Sequence, residues 1–210
     1  MCCNRACAGG IAPKEYGPST TIYNRWHRWS QQGLWQRMFN ELSQIVGTHY
    51  ENAIDSTAIK VHRSARGKKG AKTRPWAQAA AAAQLHAVID RKGRPLRFLL
   101  SGGQCFDGKA AVPLLKPLPP PKRLLADKAY DWAAFRDWLS RRGTTPVIPN
   151  KINRRKPYPH NKRAYRHRNK IERMFCHLKD ARRIATRYDK CANNFLSAVC
   201  LVALISFWLN

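Results

Sequence analysis

The chain has 210 residues, with 39 Lys and Arg against 12 Asp and Glu, so its formal net charge is +27. That length holds one full domain with a real core plus a smaller appendage. A cationic excess spread along the whole chain points to a polyanionic partner, with nucleic acid ahead of a membrane surface, because phosphate neutralisation supplies most non-specific affinity.

Residues 1 to 18 are irregular and rich in Cys, Gly and Pro. Seven cysteines occur (Cys2, Cys3, Cys7, Cys105, Cys176, Cys191 and Cys200), an odd number with no C-x2-C pair. They support neither a disulfide framework nor a zinc site, and are read as reduced thiols in a cytosolic protein. No continuous apolar run marks the N-terminus as a signal peptide.

Tyr23, Trp26, Trp29 and Trp35, with Met38, Phe39 and Leu42, then recur at helical intervals, interrupted at Ser30-Gln31-Gln32-Gly33. This predicts two short helices in residues 1–50. With Arg25, Arg28 and Arg37 they either contact DNA or simply pack on the main domain, taken as residues 51–210. From residue 53 the texture changes. Ala53 to Val61 reads as a strand carrying Asp55. Leu85 to Ile89 and Leu96 to Leu100 form a hairpin across Asp90-Arg91-Lys92-Gly93. Phe106 to Lys116 reads as helix, and Arg123 to Ala126 as a short strand ending at Asp127. Asp131 is expected to N-cap a helix through Leu139 that Gly143 ends. Pro146 to Pro149 gives a fifth strand, and a basic loop from Lys151 to Lys162 leads to the helix bearing Glu172. The apolar run Phe195 to Leu209 is short for a membrane span and predicts a buried terminal helix. The order predicts an α/β fold with a mixed five-stranded sheet flanked by helices.

Among so few acids, positions are informative. Asp55 lies inside an apolar strand, where a carboxylate is costly unless paired or metal-bound. Asp127 directly follows Leu124-Leu125-Ala126. Asp90 falls in a turn, Asp107 precedes a helix, and Asp137, Asp180 and Asp189 are placed on helix surfaces. Tyr165, Arg168, Glu172 and Lys179 are spaced Tyr-x2-Arg-x3-Glu-x6-Lys. With Tyr165 at zero, the other three fall at about 300°, 340° and 320° on an ideal helical wheel, along one edge of one helix. Ile171, Met174, Phe175 and Leu178 make an adjoining apolar stripe that can dock on a core. Two strand-borne Asp and one helix-borne Glu, gathered at one end of a sheet, can hold two divalent cations roughly 4 Å apart for in-line phosphoryl displacement. Carboxylate-only ligation favours Mg²⁺ or Mn²⁺ over zinc.

At these residues the chain resembles the DDE transposases of bacterial insertion sequences, in the insertion-sequence-five family of the insertion-sequence-four superfamily. Ala53-Ile54-Asp55-Ser56-Thr57 resembles the first-Asp motif, and Leu124-Leu125-Ala126-Asp127-Lys128-Ala129-Tyr130-Asp131 the second. Tyr165, Arg168, Glu172 and Lys179 match the Tyr-Arg-Glu-Lys signature, and Ala185-Thr186-Arg187-Tyr188-Asp189-Lys190 resembles the stretch that follows it. The likeness runs from about Tyr16 to the C-terminus. It implies an RNase H-like fold with Asp55, Asp127 and Glu172 as catalytic, metal-holding triad. It implies Arg168 and Lys179 on DNA phosphates and Tyr165 placing the strand. The implied activity is Mg²⁺-dependent nicking at transposon ends and transfer of the 3′-hydroxyl to target DNA, by a cytoplasmic, nucleoid-associated protein that dimerises in its synaptic complex.

Two stretches depart from the family pattern. Residues 71 to 84 are alanine-rich where relatives carry Gly, Arg and Ser, which either paired frameshifts or a tolerated alanine-rich loop or helix explains. Residues 1 to 15 resemble the longer helical region of relatives poorly. A truncated copy that binds DNA and represses transposition without catalysis, and a nuclease that cuts without joining, are the alternative readings.

Overall fold

The computed structural model describes residues 13–46, 50–65, 82–102 and 107–209. Cys2, Cys3, Cys7, Cys105, Phe106 and the expectations for 71–81 lie outside these residues. A six-stranded mixed sheet forms the centre, in the order β3-β2-β1-β4-β5 with β6 on β1. Its strands are β1 (Glu51–Val61), β2 (Ala82–Ile89), β3 (Pro95–Gly102), β4 (Arg123–Leu125), β5 (Thr145–Val147) and β6 (Thr186–Arg187). Strands β1, β2 and β3 are antiparallel neighbours, whereas β4, β5 and β6 enter in parallel. This is the mixed α/β architecture of an RNase H-like fold. The sixth strand corrects the predicted count of five, because a two-residue strand carries too little pattern to read.

The period-2 alternation of strands sorts the core into two layers. Ala53, Ile59, Ala87 and Leu125 belong to one buried cluster, while Ile54, Val88, Leu124 and Ala126 belong to the other. The second layer is closed by α3 (Asp107–Leu115) and α4 (Ala133–Arg141), through Leu114, Phe135 and Leu139. The first is closed by α6 (Asn169–Asp180), which follows the short α5 (Lys162–Tyr165), and by α8 (Ala192–Phe207), which follows the short α7 (Arg182–Ala185). Helix α6 docks with the predicted stripe: Ile171, Met174, Phe175 and Leu178 are all buried. Leu178 is fully enclosed, so Leu178→Ala is expected to cost about 2–5 kcal/mol. Urea unfolding would measure it; a loss below about 1 kcal/mol would mean that α6 is not held by this stripe.

The Phe195–Leu209 run is the buried helix expected, with Phe195, Val199 and Ala203 in the first core layer. Among the described residues no helix is long and apolar enough to cross a membrane. The aromatic segment forms α1 (Ser19–Gln31) and α2 (Leu34–Val46). This hairpin packs on the main sheet and α8. Phe39 stacks on Phe98 at 5.1 Å, Ser43 Oγ donates to the Leu96 carbonyl at 2.9 Å, and Asn194 meets His27 at 3.2 Å. Arg25, Arg28 and Arg37 remain exposed.

Two turns are shaped by local chemistry. In the β2–β3 hairpin Asp90 Oδ1 accepts from the Lys92 and Arg94 amides, and Arg94 pairs with Oδ2 at 2.7 Å. Gly93 takes the φ of +90° that closes this turn. Gly143, at φ +73°, ends α4 as expected. Asp131 departs from its predicted role, because the N-cap of α4 is Trp132, with no side-chain cap bond. The Asp131 carboxylate turns inward to Arg136 and Arg154 instead. Asp189 follows β6 in a loop rather than lying on a helix.

Candidate active site

Strand register places the two aspartates. Ala53 on β1 pairs with Leu125 on β4 in parallel. Asp55 and Asp127 each lie two residues further on, so both side chains project to the α6 side of the sheet. Strand β4 stops at Leu125, and β6 joins the same edge of β1 only at Lys60 and Val61. Asp55 therefore faces a gap at the carboxyl end of β4, the kind of crevice where open α/β sheets bind ligands.

Arg168 connects this edge to α6. Its Nη2 donates to Asp55 Oδ2 at 2.9 Å and its Nη1 to Glu172 Oε1 at 2.7 Å. One guanidinium thus holds a strand carboxylate and a helix carboxylate together across more than a hundred residues of sequence. Asp55 Oδ1 accepts from the Ser56 amide at 2.8 Å, and Asp127 Oδ1 accepts from the Lys128 amide, capping one 3₁₀ turn. Lys179 Nζ donates to Thr57 Oγ1 at 2.6 Å and to the Ala58 carbonyl at 3.3 Å. Thr57 shares the face of Asp55, so α6 is tied to β1 at both its ends. Glu51, on that face too, pairs with His167 at 2.8 Å.

The electrostatics tie all three acids to one neighbourhood. Burial raises the Asp55 pKa, Arg168 and the Ser56 amide oppose that rise, and Asp127 and Glu172 add to it. Burial likewise raises Tyr165, with Arg168 opposing and the same three acids adding. Burial would lower Arg168, but Asp55, Tyr165, Asp127 and Glu172 outweigh it and the net shift is upward. The centre holds three carboxylates against one guanidinium.

Tyr165, Arg168 and Glu172 gather around Asp55, but not on a single helix, and Lys179 lies two turns further along α6 against Thr57. Tyr165 ends α5, a 3₁₀ turn spans Arg166–Arg168, and α6 starts at Asn169. The tighter turn shifts the wheel register between Tyr165 and Glu172. Glu51, His167 and Thr57 were missed by sequence reasoning, although the alternation that singled out Asp55 places Glu51 and Thr57 beside it.

Among the described residues no three acidic, histidine or cysteine side chains stand close enough to hold a metal ion jointly. Between Asp55 and Glu172 stands the Arg168 guanidinium. The donor chemistry nevertheless fits a hard divalent cation: all three groups are carboxylates, and their combined charge exceeds that of Arg168 by two.

A family model described as the transposase DDE domain matches residues 47–208, starting just before β1 and omitting the α1–α2 hairpin. The chain is 34% identical over 129 residues to a protein of Brucella ovis described as a transposase for insertion sequence element IS6501; the match covers 60% of this chain and 98% of that relative. It is 28% identical over 146 residues to a protein of Burkholderia cepacia described as a transposase for insertion sequence element IS402, covering 64% of this chain and 66% of that relative.

Proposed function

Since the chain belongs to the transposase DDE-domain family, we propose that it nicks DNA at the ends of an insertion sequence and joins the freed 3′-hydroxyl to target DNA. Transposases act on DNA, and DDE domains use divalent metal ions. The finer reading is that Asp55, Asp127 and Glu172 are the catalytic carboxylates, holding two Mg²⁺ ions, with Mn²⁺ as a substitute. The observation that carries it is the joint hold of Arg168 on Asp55 and Glu172, beside an Asp127 that shares the Asp55 face. When bound, the ions supply a nucleophile near neutral pH and stabilise charge on the leaving oxygen.

The side chains of this chain position the reaction. Burial of Asp55 and mutual repulsion of the acids make a centre that demands positive charge. Arg168 meets that demand here, and releasing its guanidinium to a DNA phosphate would free both carboxylates for ligation. Lys179, at the far end of α6, extends the phosphate-holding row, and Tyr165 places the strand beside it. The protein works on double-stranded DNA in the cytoplasm at the nucleoid, as a homodimer that brings two ends together.

A second reading, DNA binding without cleavage by a decayed copy, draws on the net charge of +27, which favours a polyanionic partner whether or not cleavage follows. Incubating the purified chain with end-bearing DNA and Mg²⁺ separates the readings. Joined products support transposition, nicks without joining support a simple nuclease, and retention without nicks supports the binding remnant.

A further inference from the structure

The loop between β5 and α5 is basic, and hydrogen bonds hold it at its base and in its middle. At its base Asn150 Nδ2 donates to the Tyr158 carbonyl at 2.9 Å, and the Tyr158 amide donates back to Asn150 Oδ1 at 3.0 Å. In its middle Asp131 accepts from the Lys151 amide at 2.8 Å and from Arg154 Nε and Nη2 at 2.8 Å each. The Asp131 side chain has 0% exposure. Arg136 and Arg154 both lie against the Tyr158 ring, at 4.5 and 4.9 Å.

The charge of Arg154 is thus spent inward, while Lys151, Arg155 and Lys156 are exposed. None of the three has an ion pair among the described residues. They line an open concavity of about 660 Å³, together with Tyr158. Nor is there a nearby acid in sequence, since no carboxylate occurs between Asp137 and Glu172. Three like charges on one loop repel each other; water and counterions screen part of that repulsion, and an anionic partner relieves more of it.

We propose that residues 150–158 form a prebuilt seat for the sugar-phosphate backbone of DNA, feeding a strand toward Asp127. Several cations along an open concavity suit a chain of regularly spaced phosphates better than one small anion. The seat is anchored through Asp131, four residues beyond Asp127, so its position relative to that acid is fixed by the fold. Ile152 is 94% exposed at the tip. A single apolar residue without an amphipathic helix is a poor membrane anchor, which favours DNA over an anionic lipid surface. The proposal rests on the reading of the chain as a DNA-acting protein.

The test uses the full chain, a labelled DNA duplex and a salt series. The triple variant Lys151→Ala, Arg155→Ala, Lys156→Ala is compared with Lys109→Ala, Lys116→Ala, Arg141→Ala, which removes the same charge from α3, the turn after it and α4. The loop variant is expected to bind at least about tenfold more weakly at low salt and to lower the salt slope by roughly 2 to 3, at about 0.9 per phosphate contact. The control should change the slope by less than about 1. Equal losses in both variants, or an unchanged slope in the loop variant, overturn the seat while leaving DNA binding intact. No DNA binding by the unaltered chain overturns both readings. Loss of binding to phosphatidylserine vesicles with DNA affinity unchanged assigns the loop to lipid and overturns the seat. Matching melting temperatures of the three proteins establish that folding is not the variable.

Discussion

Glu172→Gln is expected to abolish Mg²⁺-dependent nicking, by roughly a thousandfold or more, equivalent to about 4 kcal/mol of transition-state stabilisation. Its DNA affinity should stay within about twofold, because the substitution adds no bulk and removes no cation. The structure makes this a clean experiment. The Glu172 side chain is 58% exposed and contributes no packing to the α6 stripe, so the fold is not at stake. Gln retains an oxygen that can accept from Arg168 Nη1, as Glu172 does. What is lost is the negative charge that a hard cation needs. Nicking assays and binding titrations on one preparation decide the matter. Undiminished nicking would remove Glu172 from the catalytic carboxylates, and parallel loss of binding would show that it acts on DNA placement instead. Asp55→Asn is a harsher companion, since Asp55 sits on the central strand β1, beside the gap past β4, with 16% exposure, and holds Arg168 from the other side.

The parts of this site that were legible in the sequence were those with a local cost or a local period. Asp55 stands out because an apolar strand does not carry a carboxylate without a reason. Asp127 stands out for the same cause, and the buried stripe of α6 follows from helical spacing alone. The alternation of β1 is also written in the sequence. Its pairing register is not, and the register is what puts Asp127 beside Asp55. The Arg168 bridge joins residues 55, 168 and 172, and no short-range pattern announces a contact that spans most of the chain. The 3₁₀ turn at Arg166–Arg168 was hidden because its residues are ordinary helix formers. Asp131 was misread for an instructive reason. An Asp just before a helical run is the standard signal for an N-cap, but the signal is purely local. Two arginines from further along the chain compete for the same carboxylate, and charged donors outbid a backbone amide.

Those arginines lead to the largest stability effect expected outside the apolar core. Asp131→Ala should destabilise the fold by about 3–5 kcal/mol, because it strands a buried cation. Arg136 has 3% side-chain exposure, and its remaining hydrogen bond runs to the Ile148 carbonyl at 2.7 Å. Arg154 would lose its one carboxylate partner among the described residues, and the loop its central anchor. The pH dependence has a definite sign. Burial pushes the Asp131 carboxyl up, but the Arg154 hydrogen bonds, the Lys151 amide and Arg136 outweigh it, so its pKa lies below the ordinary carboxylate value. A group depressed in the folded state contributes stability above its unfolded pKa, near 4, and that contribution fades as pH falls through the folded value. The unaltered chain should therefore lose stability on acidification below about pH 4 more steeply than Asp131→Ala, and the two curves should converge in acid. Urea midpoints measured across that range test both points at once. A neutral-pH loss below about 1 kcal/mol, or parallel acid limbs, would mean that Arg136 and Arg154 find water or another partner when Asp131 is removed. If so, Asp131 neither supports the α4 layer nor fixes the basic loop behind Asp127.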